Sequence, residues 1–484
     1  MTEIVLEGHL NAEDRDGNEF PLLPFEVPPG IARLHVRYHV NRQLGGNMIG
    51  QQEGNIVDIG LFDPRGAEFL TARGFRGWSG TARQEFTIAA DEATPGYLAG
   101  PVQSGVWHIL LGLYQLAPEG CDYRVVITLE GMEGRGDQAP GGDSRAKEEV
   151  LNKEKVGPRW YRGDLHAHTW HSDGSAPLAD LVAAARAQGL DFVAVTEHNT
   201  VSHLPLLSAH STSDLLLIPG VEISTYHGHA NVWPVDWSND RFVEFRCQTD
   251  EQMAQVREAV RARGMLFSVN HPKDGGPPWE FGALFDPDCI EVWGAPWFIS
   301  NYQSLAVWDE QLRAGKRVTA VGGSDKHQGP FTGELGWYEV GTPCTWVYAD
   351  ALSTEAIIAG MRAGRVFISA EPSGPQVELT AEGVNGGEQA MMGDELCLPS
   401  GADLRLRCRV RGGAGNLLRL ISAHETREAE ITAADFVYKG QVTVTDSTYW
   451  RAEVIEPPEV PLDEEPAALM AKALSNPIYV RRRL

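Results

Sequence analysis

Between residues 32 and 40 the chain alternates Arg33, His35, Arg37 and His39 with Leu34, Val36, Tyr38 and Val40. This period of two predicts a strand with one dry and one wet face, and it puts His35 and His39 toward solvent. Tyr123 to Leu129 alternates likewise, and glycine and proline punctuate the runs between. We therefore read residues 1–135 as an N-terminal β-sandwich. A polar, then charged stretch, DQAPGGDSRAKEEVLNKEKVGP at 137–158, predicts a linker over 136–158.

From Trp160 the rhythm changes to strand, helix, strand, which predicts an α/β domain over 159–372. Leu178, Leu181, Val182 and Ala185 share one helical face, with Pro177 at its start and Gly189 past its end. Met253, Val256 and Val260 define a second helix that stops at Gly264, and Leu305, Trp308 and Leu312 a third that stops at Gly315. The buried-strand runs DFVAVTEHN, MLFSVNHP and RVTAVGGSDKH follow these glycines, and each ends in a histidine or carboxylate. After Gly364 the run RVFIS ends without one. Residues 373–484 return to sheet, as in Leu404, Leu406, Cys408 and Val410 and again in Tyr449 to Val454, and predict a C-terminal β-domain. An acidic, proline-rich EPPEVPLDEEP interrupts it, and Arg481 to Arg483 read as a solvated tail.

Composition narrows the function. The 484 residues, 42% hydrophobic and 22% charged, belong to an ordinary globular protein with several cores in series. A net charge of -25 repels a phosphate backbone and argues against a nucleic acid partner. Neither a basic, apolar leader nor a membrane-length apolar run is present, which predicts a cytoplasmic chain without a membrane partner. The six cysteines are scattered without CxxC spacing, which removes a thiolate metal site.

Ten of the fifteen histidines lie between residues 166 and 327, crowded at the C-terminal ends of predicted strands, where parallel α/β folds build their sites. GDLHAHTWHSDG supplies His166, His168 and Asp173, TEHN supplies His198, and PGVEIS supplies Glu222. GHANVW supplies His229, VNHP supplies His271, and GGSDKH supplies Asp325 and His327. A lone histidine is ordinarily a satisfied core or surface residue. Nine such groups on one edge would be heavily penalised by desolvation unless cations pair with them. His171, His203, His210 and His227 read as surface or supporting residues, with His227 the competitor of His229 across Gly228.

Taken in order, HxHxxxxD, TEHN, GVE, NHP and SDxH resemble the polymerase and histidinol phosphatase (PHP) metallohydrolases over residues 160 to about 370. The flanking β-domains and SNPIYV further resemble the carbaryl hydrolase-like (CehA/McbA) branch. Glu197 departs from the aspartate that much of the family carries before the histidine. The resemblance implies an α/β fold, a distorted (β/α)7 barrel flanked by β-sandwiches. It also implies three divalent ions, zinc, manganese or iron. His166, His168, Glu222 and Asp325 would hold the first, and Glu222 would bridge to a second held by His229 and His271. Asp173, His198 and His327 would hold the third.

Three ions bring +6, the three carboxylates -3 and a bridging hydroxide -1, so the site is locally positive and suits a small anionic or aryl ester. Glu222 and Asp325 would serve a metal-bridged water as nucleophile, with Lys273, Lys326 and Arg246 as candidate substrate contacts. Trp170, Trp233, Trp279, Trp293 and Trp297 lie near the ligand-bearing loops, as core or as a wall for an aromatic leaving group. Phosphoester hydrolysis is the leading expectation. The alternatives are a carboxylic or carbamate ester hydrolase, an amidohydrolase-type site, and a metal-stabilised binding or scaffold protein.

Overall fold

The computed structural model describes the chain except for residues 46–52, 72, 132–156, 237–242, 283–285, 330–337, 385–386 and 484. Most of the expected linker lies outside the described residues.

Eight N-terminal strands form two antiparallel four-stranded sheets. The first orders Thr2–Leu10, Cys121–Gly131, Ile31–Val40 and Glu85–Ala89, and the second Leu22–Val27, Gly105–Gln115, Ile56–Phe62 and Phe75–Gly80. Leu34, Val36 and Phe86 of the first meet Val57, Ile59, Trp107 and Ile109 of the second in one core. As the alternation predicts, His39 is exposed and His35 half-buried. The second sheet does not alternate because both of its faces are covered. Phe62, Phe75, Trp78 and Leu110 on its far side join a core shared with Phe245, Val221 and Tyr226 of the following domain.

That domain places Arg159–Asp164, Phe192–His198 and Leu216–Thr225 in parallel. A hairpin adds Gly228–Trp233 antiparallel, and Leu266–Val269, Cys289–Gly294 and Thr319–Gly323 again run parallel to one another. The helices Leu178–Ala187, Asp250–Ala262 and Asn301–Arg313 bury the residues their periodicity predicts. Two further helices, Leu204–His210 and Thr354–Arg362, were not resolved from the pattern. The sheet curls so that its edge strand Thr319–Gly323 approaches Cys344–Ala349, which pairs with Arg159–Asp164. Thr345 Oγ1 accepts from Gly322 N at 2.9 Å and donates to Gly322 O at 2.7 Å.

The sheet does not stop at the boundary expected near residue 372. Val366–Ser369 pairs with Ala471–Ser475, which continues through Thr448–Ile455 to Leu417–Ser422. Asn476 stitches the C-terminal segment to the middle domain, donating from Nδ2 to Ala320 O and Val366 O and accepting Ala320 N at 2.8 Å. Strand pairing between distant segments leaves no local mark, which is why the boundary looked clean in the sequence. A separate antiparallel sheet orders Gln389–Met391, Gln376–Gly383, Asp403–Arg411 and Asp435–Thr443. Arg481, Arg482 and Arg483 are exposed but do not form a tail: they end the strand Ile478–Arg483, which pairs with Glu395–Pro399. No helix among the described residues is long and apolar enough to cross a membrane.

Candidate metal centre

The nine expected ligands converge. The strand Arg159–Asp164 ends before the His-x-His pair, and the segment carrying it is held by backbone pairing instead. Asp325 N donates to His166 O at 2.8 Å and His168 N to Lys326 O at 2.9 Å. Asp164 secures the same crossing, accepting His166 N and Ser324 N on one oxygen and Gly341 N on the other. Glycine is required at 323, where a Cβ would lie 2.3 Å from His166 Cβ.

Glu222, fully buried on Leu216–Thr225, is the hub. Its carboxylate lies 3.3 Å from His166 Nε2, 3.5 Å from His168 Nε2, 2.8 Å from His198 Nδ1, 3.1 Å from His229 Nδ1 and 3.5 Å from His271 Nε2. Asp325 Oδ1 sits 3.3 Å from His166 Nε2 and 3.2 Å from His168 Nε2. On the other side Asp173 Oδ1 is 3.5 Å from His198 Nε2 and 3.3 Å from His327 Nε2. Three overlapping groups have ligand geometry: His168 with Asp173, His198 and His327; His166 with His168 and Glu222; and His198 with Glu222 and His229. His168 and His198 thus belong to more than one group, where the resemblance gave each a single ion.

Charge explains why these groups tolerate one another. Burial alone would raise the Glu222 carboxyl, yet the imidazoles of His166, His198 and His229 hold it well below the usual range. Asp173, whose side chain is 48% exposed at the edge of the cluster, is drawn down against desolvation to about 2 by His327, His198 and His168. Burial and the neighbouring His327 and His198 push His168 down to about 3. Against burial, Glu222 and Asp173 lift His198 to about 10.

The donor set fits divalent cations. His166 Nε2 is buried without a hydrogen-bond partner, and such an atom is costly unless something electrophilic lies beside it. His198 Nε2 and His327 Nε2 stand 3.2 Å apart, nitrogen to nitrogen. Imidazole and carboxylate donors without thiolate suit zinc, manganese or iron. Backbone strain marks the same place: Asn199, His271 and Asp325 all have positive φ, at about 1–3 kcal/mol each for a non-glycine residue.

The sequence reading missed the supporting layer. Glu291 on Cys289–Gly294 reaches His166 Nδ1 at 2.9 Å and accepts His271 N at 3.0 Å. Asn270 Nδ2 donates to Glu222 Oε1 at 2.8 Å, and Ser224 Oγ is 2.6 Å from His198 Nδ1. Carboxylates and amides behind ligating imidazoles set their orientation and basicity. The available signal was a single carboxylate in the otherwise apolar run CIEVW.

Neighbouring side chains find partners outside the cluster. His227 turns away to Glu19 Oε1 at 2.9 Å and Glu280 Oε2 at 2.7 Å, so His229 is the member of the cluster. Glu197, buried next to His198 in the chain, instead holds the Thr169–Ser172 loop, accepting Thr169 N at 3.0 Å and Ser172 Oγ at 2.5 Å. His203 bonds the backbone oxygens of Val195 and Gly220, and His171 bonds Ser202. The three candidate substrate cations are directed elsewhere. Lys273 Nζ, buried, donates to Gly294 O and Asn301 Oδ1 at 2.6 and 2.8 Å. Lys326 donates to Tyr338 O. Arg246 forks onto Glu244 and donates to Ala67 O of the N-terminal region at 2.7 Å. A long cation beside a buried carboxylate or carbonyl satisfies that group first, which spacing in sequence does not reveal. Trp233, Trp293 and Trp297 are buried core, whereas Trp170 is 45% exposed.

The N-terminal sheets reach the ligand loops. Arg83 donates to Ser172 O at 3.0 Å and to Trp170 O, Gly96 N to Ser202 Oγ at 3.0 Å, and Tyr226 OH to Asp58 Oδ2 at 2.8 Å.

With this geometry in view, comparison with known proteins is informative. Residues 164–269 match the PHP domain family. The PHP match spans the segment that carries His166, His168, Asp173, His198, Glu222 and His229. A curated protein of Salmonella typhimurium named 5'-3' exoribonuclease Rnm is 35% identical over 125 residues, 25% of this chain and 41% of that protein. This chain therefore spans about two-fifths of that relative's length. Among solved structures, a Bacteroides vulgatus two-domain protein described as containing a predicted PHP-like metal-dependent phosphoesterase aligns at TM-score 0.35 and 17% identity, covering 65% of this chain and 96% of the other. An amidohydrolase from Chromobacterium violaceum aligns at TM-score 0.26 and 14% identity, covering 37% and 89%.

Proposed function

We propose that the PHP region is a metal-dependent hydrolase that cleaves phosphoester bonds. The observation that carries this reading is Glu222, a buried carboxylate within 3.5 Å of five imidazoles, with His166 Nε2 left without a hydrogen-bond partner. His166, His168, Glu222 and Asp325 would hold one ion, Glu222, His229 and His271 a second, and Asp173, His198 and His327 a third. Divalent ions bound there would acidify a water and act as Lewis acids toward a phosphoryl or carbonyl oxygen.

The chain's own groups do the rest. Glu291 holds the His166 ring and the strained backbone at His271, and Asn270 fixes the face of Glu222. The overlapping donor groups also favour the PHP scheme over an amidohydrolase site, since Glu222 belongs to two of them and could bridge two ions. The match to a protein named as an exoribonuclease supports phosphoester over carboxylic or carbamate ester cleavage. The same reading takes the curled sheet as a distorted (β/α)7 barrel, the N-terminal sheet pair as a β-sandwich, and the chain as a cytoplasmic member of the carbaryl hydrolase-like branch.

A panel of p-nitrophenyl phosphates, phosphodiesters and carboxylates, with added Mn²⁺ and with chelator, tests it. Metal-dependent turnover of the phosphate esters is expected; turnover of carboxylates alone would reject the proposal in favour of the carbaryl-type alternative. A folded, metal-loaded chain that turns over none of the panel would favour the scaffold reading.

A further inference from the structure

Along the strand Asp403–Arg411 the outward positions after Asp403 are all arginines. Arg405, Arg407, Arg409 and Arg411 alternate with buried Leu404, Leu406, Cys408 and Val410. In a chain of net charge -25 the row concentrates four cations on one strand, with Glu378, Glu382 and Asp435 on the neighbouring strands of the same face. Two of the four are answered: Arg409 Nε donates to Asp435 Oδ1 at 2.8 Å, and Arg411 pairs with Glu378. Among the described residues no ion pair joins Arg405, Arg407 or Lys439 to a carboxylate. The register sets Arg407 directly opposite Lys439 on the same face. Like charges facing each other across a strand pair are destabilising unless an anion lies between them.

These three cations line a groove of about 880 Å³ together with Thr380, Gln389 and Gln441. That volume lies in the range of small-molecule sites, about 300–1,000 Å³. Asp394, also in its wall, is engaged by Arg365 at 3.6 Å, and Glu382 stands opposite Arg405 in the register. The groove shares no residue with the metal centre.

We propose that this groove binds a small ligand carrying two or more phosphate groups, of the pyrophosphate or nucleoside diphosphate type. Guanidinium forks match phosphate oxygens in pairs, and the Lys439 ammonium adds a point charge opposite Arg407. A compact ligand is favoured over a phosphodiester polymer. The phosphates of a polymer beyond the groove would face the acidic remainder of the molecule.

The test uses the full chain stripped of metal, so that the histidine cluster contributes no cation. Inorganic pyrophosphate and ADP are titrated by calorimetry at low salt. Saturable one-to-one binding that weakens as salt rises is expected, with Arg407→Ala and Lys439→Ala each losing at least tenfold in affinity. Both positions are exposed, and circular dichroism checks that the variants stay folded. Their metal-dependent hydrolysis should match the parent chain. Absence of binding by the parent chain, or binding untouched by both substitutions, overturns the site. A single-stranded oligonucleotide binding tenfold tighter than ADP overturns the small-ligand assignment. None of these outcomes depends on what the metal centre hydrolyses.

Discussion

Glu291 Oε1 lies 2.9 Å from His166 Nδ1 while its other oxygen accepts His271 N, so one buried carboxylate orients two strand ends of the metal centre. Glu291→Gln keeps the shape and removes the charge. Losing such a partner typically costs about 10–100-fold in metal affinity. That loss should appear in Mn²⁺ or Zn²⁺ titrations, and an unchanged affinity would count against the role given to Glu291.

Glu222→Gln and Asp325→Asn remove carboxylates that several imidazoles share. Lewis-acid stabilisation is worth several kcal/mol in the transition state, and each 1.36 kcal/mol is tenfold in rate. Both variants should therefore lose at least about a thousandfold in kcat/KM, and elemental analysis should find fewer ions per chain. Full metal content with full activity would remove these residues from the centre.

Metal binding to the native cluster should raise the melting temperature of the chelated protein. Ions that bind only the folded chain stabilise it by about 2.7 kcal/mol at one hundred times Kd. The rise should shrink in Asp325→Asn, and a thermal scan indifferent to Mn²⁺, Zn²⁺ and Fe²⁺ would contradict the assignment.

Arg83 ties the Trp170–Ser172 loop to the N-terminal sheets through two backbone carbonyls. Arg83→Met keeps the aliphatic stem and frees the loop that carries Asp173. A small misplacement of a catalytic group can cost up to about a hundredfold, so kcat/KM should fall by between ten- and a hundredfold with the fold intact. Equal kinetics would show that the loop holds itself.

Burial raises the Asp58 carboxyl to about 7, Tyr226 and His198 lowering it and Asp173 raising it. The native state then binds this proton between the unfolded carboxylate range, near 4, and about 7. Its contribution to stability is complete below that range and is lost as pH rises through it. Asp58→Asn, which can still accept from Tyr226, should gain thermal stability relative to the parent chain as pH rises from 5 to 8 in chelator. A pH-independent difference would place the charge elsewhere.

Much of the centre was legible because its chemistry is local in sequence. The histidines and carboxylates at strand ends were identifiable from periodicity and spacing, and so were the helices Leu178–Ala187, Asp250–Ala262 and Asn301–Arg313. The seven-residue Leu204–His210 is too short to show a period. The protein partners of Lys273, Lys326 and Arg246 were not legible, because a cation's partner is set by tertiary neighbours.

By itself the sequence determined the alternation of strands and helices and the set of nitrogen and oxygen donors. Those properties follow from residue type and from periods of 2 and 3.6, which need no knowledge of distant chain. Only the tertiary structure decided that His229 and not His227 faces Glu222, that His168 and His198 are shared between donor groups, and that Glu291 stands behind His166 and His271. It also decided that one sheet runs on through Val366–Ser369 into the C-terminal strands. These are contacts between segments far apart in the chain. They depend on how the sheet curls and on which buried polar groups must find partners.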